Sequence, residues 1–146
     1  MEIAPVYDCA GCFLPQADER TMKKVLSDEN ELDMRIYRFP TSAIKQGRNK
    51  INYYDFLVSG QCRECDEALL RMAPKIDMDK IQELISNTPY IDGLQKDFYS
   101  TYIDARYEKI IVPAYELAVN REQERQQSGN NIPFSDEEWD DDDIEL

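Results

Sequence analysis

The four cysteines of the 146-residue chain fall into two Cys-x-x-Cys pairs, Cys9-Ala-Gly-Cys12 and Cys62-Arg-Glu-Cys65. A tight turn aims two sulfurs at one ion, and two such turns close a tetrahedron. Cys9, Cys12, Cys62 and Cys65 are therefore the expected ligands of a structural Zn2+. Four thiolates leave no open position for water, so the metal is expected to staple the chain and not to catalyse. Disulfides would need an oxidising compartment, and the start Met-Glu-Ile-Ala-Pro-Val-Tyr-Asp has neither the basic residues nor the apolar stretch of a signal peptide. A cytoplasmic protein is expected, in the host cytoplasm if it is viral. The chain has no histidine, which removes the Ser-His-Asp and Cys-His nucleophile schemes and the usual proton shuttle near neutral pH. Its five glycines form no phosphate-cradling loop. These exclusions predict a binding protein with no small-molecule substrate, and not an enzyme.

The elements that must position the cysteines divide the chain into three zones. The first, residues 1–73, is expected to be a zinc-stapled β-hairpin module. Within it a short amphipathic helix from Glu19 to Asn30 carries Met22, Val25 and Leu26 on one side. Leu32, Met34 and Ile36 then alternate with Asp33, Arg35 and Tyr37, and the run from Ile51 to Val58 is rich in β-branched and aromatic residues. Both read as strands, paired antiparallel across a loop from about Pro40 to Asn49. A helix from Asp66 to Ala73 stops at Pro74. Cysteine knuckle followed directly by helix resembles the arrangement of zinc ribbons and treble-clef fingers, a likeness confined to the ligand pairs and their flanks.

The second zone, residues 74–127, reads as helical and packed on the first. Asp77 can cap a helix with Met78, Ile81, Leu84 and Ile85 on its apolar side. Leu94, Phe98, Tyr102 and Ala105 recur at helical spacing, as do Tyr99, Ile103, Ile110 and Ala114, so the next helix is buried on more than one side. Pro113 should kink it or start another. The third zone, residues 128–146, holds eight acids and no base and is expected to be a disordered acidic tail. The fold class is thus α+β: hairpin module, helical half, tail.

Charge supplies the functional reading. The formal net charge is -13, and the tail accounts for -8 of it, leaving an ordinary -5 for the rest. Inside that remainder, the stretch from Met34 to Tyr54 has five bases and no acid. Arg35, Tyr37, Arg38, Lys45, Arg48, Lys50 and Tyr54 are the expected contacts to nucleic acid or a partner, because rings stack on bases and cations neutralise phosphates. In the tail, Phe134, Trp139, Ile144 and Leu146 punctuate the carboxylates and are expected to dock in a partner with a basic surface. This end is similar to the acidic tails of bacterial and phage single-stranded-DNA-binding proteins, which implies recruitment of replication or repair partners. The expected function is a non-enzymatic zinc-binding accessory protein of nucleic-acid metabolism, touching single-stranded nucleic acid or its processing machinery. The alternatives are an acidic inhibitor or nucleic-acid mimic, of a kind that would suit a phage, and an assembly protein of a larger particle. No apolar run approaches the length of a membrane span.

Overall fold

The computed structural model describes Leu14 and residues 17–38 and 44–130. Over these residues the chain is built from helices: α1 (Glu19–Ser27), α2 (Glu29–Tyr37), α3 (Tyr53–Val58), α4 (Arg63–Met72), α5 (Met78–Asn87), α6 (Gly93–Arg106) and α7 (Val112–Asn130). A two-stranded ribbon, β1 (Lys45–Gln46) and β2 (Asn49–Lys50), is the strand structure among the described residues. None of these helices is long and apolar enough to cross a membrane.

Aspartate and asparagine caps set most of the helix starts. Asp18 accepts from the Thr21 amide, Asp28 from Asn30, Asn52 from Tyr54 and Asp77 from Lys80. Asp92 and Gln95 close a reciprocal capping box at the head of α6. Pro74 falls in a single 3-10 turn, Ala73–Lys75, that ends α4. Between α6 and α7 the backbone widens into a π-helical turn, Tyr107–Ile111, in which the Val112 amide reaches back to the Tyr107 carbonyl. Pro113 follows at once, where a missing amide costs least.

The expected α+β fold with a zinc-stapled hairpin is therefore corrected to a helical one. Leu32, Met34 and Ile36 alternate over only three positions, and Leu32 with Ile36 is equally a helical i, i+4 pair. In α2 Ile36 is completely buried and Leu32 packs against the same core, while Met34 stays 43% exposed. The run from Ile51 to Val58 loses its β-propensity to the cap at Asn52 and to burial of Tyr53, Tyr54 and Leu57 against other helices. The ribbon lies in the expected loop and at its edge, where Gly47, at φ +62°, and Arg48 turn Lys45–Gln46 back on Asn49–Lys50.

Helix α6 is the central post, with α1, α2 and α5 packed on it, while α7 collects α3 and α4. Two apolar clusters sit on α6: Met22 and Val25 against Phe98, and Ile36 against Tyr102, Ala105 and Ile110. A third joins Leu69 of α4 to Ala114 and Ala118, whose small side chains let α4 and α7 approach closely.

Candidate functional site

The C-terminal end of α2 and the N-terminal end of α3 form the walls of a cleft of about 670 Å³. Tyr37 and Tyr54 meet edge to face in it, with ring centroids 5.1 Å apart and planes at 71°. Asn52, besides capping α3, donates to the Tyr37 carbonyl and so ties the two walls together. Beneath them the Tyr37 hydroxyl donates to the Lys109 carbonyl at 3.4 Å. The Lys109 ammonium in turn reaches Asp33 at 2.6 Å and Glu29 at 3.2 Å, fastening the π-helical turn to α2. Its hydrogen bond to Asp33 raises the Lys109 pKa, and burial raises that of the Tyr37 phenol. Asn30, Asp33, Arg38 and Asp55 complete the polar lining. Two ring edges with donors and acceptors of both signs suit a hydrogen-bonding segment of peptide. None of the lining side chains is set up as a nucleophile.

Three expected contact residues, Tyr37, Arg38 and Tyr54, thus share one cleft, though on two helices and not on a hairpin. Lys45, Arg48 and Lys50 lie on the exposed ribbon. Arg35 is engaged elsewhere, paired with Glu31 at 3.1 Å, and its carbonyl accepts from Tyr102. Phe134, Trp139, Ile144 and Leu146 lie outside the described residues, as do Cys9 and Cys12.

Cys62 is the N-cap of α4 and Cys65 stands in its first turn, both as free thiols and half-buried. Contact with the Cys62 thiol, with burial adding to it, pushes the Cys65 thiol up to about 11. No group of three or more cysteine or acidic side chains among the described residues is arranged to hold a metal ion. The expected structural Zn2+ is corrected accordingly: the spacing that suggested a second zinc knuckle is here the start of a helix.

The ionic centre of the molecule lies at none of the expected site residues. Asp66 is fully buried, and Arg121 clamps it at two points, Nε to Oδ2 at 2.9 Å and Nη2 to Oδ1 at 2.6 Å. Arg125 adds a third bond at 3.1 Å. These bonds, that from Arg121 foremost, hold the Asp66 carboxyl below the usual carboxylate range. The legible signal is that Arg121 and Arg125 are four apart on one helix face. A second such feature is an apolar groove of about 550 Å³ between α5, α6 and the π-helical turn, lined by Ile81, Leu84, Ile103, Tyr107 and Ile111 beside Arg106. Leu84 stands 69% exposed at its rim.

This helical body, with its aromatic cleft and open apolar groove, is similar to part of a serine/threonine protein kinase. The relative is the serine/threonine-protein kinase CtkA of Helicobacter pylori strain J99, 44% identical over 131 residues. That alignment takes in 89% of this chain and 40% of the kinase. A crystal structure described as a Helicobacter pylori proinflammatory kinase, CtkA, superposes with a TM-score of 0.75 at 47% identity. It covers 82% of this chain and 40% of that one. The chain spans about two fifths of the length of the kinase that it matches. No family model matches.

The similarity overturns the expectation of a non-enzymatic accessory protein of nucleic-acid metabolism, together with the inhibitor and assembly alternatives. The expected exclusion of enzymes falls with it. Lack of histidine excludes histidine-dependent chemistry, whereas phosphoryl transfer proceeds by positioning and charge stabilisation and needs no histidine nucleophile.

Proposed function

We propose that the chain forms a helical portion of a serine/threonine protein kinase and takes part in transferring the γ-phosphoryl group of ATP to a protein hydroxyl. The observation that carries this reading is the 44% identity to CtkA over 89% of the chain. The open groove at Ile81, Leu84 and Ile103 supports it. Its apolar side chains offer a face on which another part of such a kinase would pack. The cleft of Tyr37, Arg38 and Tyr54 is assigned to contact with the protein substrate.

A chimera tests the reading directly. This chain replaces the 131 matched residues of CtkA, and transfer of labelled γ-phosphate to serine and threonine of a protein substrate is measured. A folded chimera that transfers phosphate is the expected result. A chimera as stable as CtkA but devoid of transfer overturns the reading.

A further inference from the structure

Cys62 and Cys65 are positioned for chemistry with each other. Cys62 has the extended backbone of an N-cap, φ -118° and ψ 101°, yet its side chain makes no cap hydrogen bond. Its thiol donates to Glu64 Oε2 at 3.6 Å instead. The Cys65 amide donates to the Cys62 carbonyl at 3.1 Å, closing the first turn. A turn closed by such a bond keeps its end Cα atoms within about 7 Å of each other, a range that overlaps the roughly 4.4–6.8 Å a disulfide spans, and the two thiols are in hydrogen-bond contact. Both side chains are half-buried, so a small molecule can reach them. One residue further on, Asp66 is locked to Arg121 and Arg125, so the start of α4 is held against α7 whichever oxidation state the sulfurs adopt.

We infer that Cys62 and Cys65 form a thiol–disulfide site, which a small disulfide such as glutathione disulfide oxidises to an intramolecular bond across the cap of α4. The Cys62 thiolate attacks one sulfur of the oxidant, breaking its S–S bond and releasing one glutathione thiolate. The Cys65 thiolate then displaces the second glutathione from Cys62. The protein loses two electrons and two protons, and the oxidant is reduced to two thiols. Cys62 goes first because it sits outside the helix. The inference stands independently of the kinase reading.

The test uses the complete chain. Folded protein is incubated with glutathione disulfide, its remaining thiols are blocked with an alkylating reagent, and peptides are mapped by mass spectrometry. The expected product is a Cys62–Cys65 linkage two hydrogens lighter than the dithiol, resistant to alkylation and reversed by dithiothreitol. Cys65→Ser should stop at a glutathione adduct on Cys62. Full alkylation of both thiols, under conditions that oxidise a Cys-x-x-Cys peptide, overturns the inference, as does pairing of either sulfur with Cys9 or Cys12. A variant with Cys9→Ser and Cys12→Ser repeats the measurement without competing thiols. If its pair oxidises no faster when folded than in urea, the geometry contributes nothing and the inference falls.

Discussion

Asp66 and Arg121, 55 positions apart in sequence, meet in a two-point ion pair at 2.6 and 2.9 Å that fixes the start of α4 against the middle of α7. The carboxylate is buried, so removing its partner strands a charge. Arg121→Ala should cost about 3–5 kcal/mol, and Arg125→Ala distinctly less, because Asp66 then keeps both bonds from Arg121. Urea unfolding of the two variants checks the order; equal losses would show that the clamp is not the dominant contact.

The same pair sets an acid limit. Its hydrogen bonds depress the folded pKa of Asp66, so its stabilisation is complete above the unfolded value of roughly 3.9 and fades as pH falls through the folded value. Asp66→Asn should therefore lower the Tm most at neutral pH, and its gap from the parent protein should narrow below about pH 4. Melting curves across that range measure it, and a gap independent of pH would assign the loss to packing.

Gly60 depends on this arrangement. Its φ is +67°, and a Cβ built there would lie 2.7 Å from Arg121 Cδ and 2.8 Å from Nε. A free arginine could swing aside, but this one is held by Asp66. Gly60→Ala should cost more than the roughly 1–2 kcal/mol of left-handed backbone strain alone. In an Arg121→Ala background the extra loss should disappear, which a double-mutant cycle reads as coupling.

The cleft invites a separation of ring from hydroxyl. Tyr37→Phe removes a long 3.4 Å hydrogen bond and should change stability by less than about 1 kcal/mol. Tyr54→Ala removes the edge-to-face partner, worth roughly 0.5–1.5 kcal/mol beyond burial. In the CtkA chimera Tyr54→Ala should also raise KM for the protein substrate more than it lowers kcat. The opposite split would take the cleft out of substrate contact.

Local chemistry is the legible part of this fold. Asp77 reads as a cap from its place before Met78 and Ile81, and Phe98, Tyr102 and Ala105 read as one buried stripe. The failures lie where short segments satisfy two periods. Leu32 and Ile36 fit strand and helix alike, and tertiary packing decides between them. A Cys-x-x-Cys motif is likewise both a zinc half-site and a helix start, and spacing alone does not choose. Asp66 with Arg121 is a contact across 55 positions, and the four-residue spacing of Arg121 and Arg125 does not name the carboxylate that they clamp. The kinase resemblance extends over 131 residues at 44% identity.

Substitution in the groove beside Leu84 tests the proposed kinase role separately from the chain's own stability. Leu84 is 69% exposed, so Leu84→Asp leaves the isolated chain almost as it was, within about 0.5 kcal/mol, as for most surface changes. If the rest of the kinase covers the groove, the same aspartate is buried beside Ile81 and Ile103 in the chimera, where an unpaired carboxylate costs several kcal/mol. The expected outcome is a nearly unchanged Tm for the chain and a marked fall for the chimera, with phosphate transfer falling alongside. A chimera that tolerates Leu84→Asp as well as the chain does would leave the groove open in the whole protein and remove its support for the kinase reading.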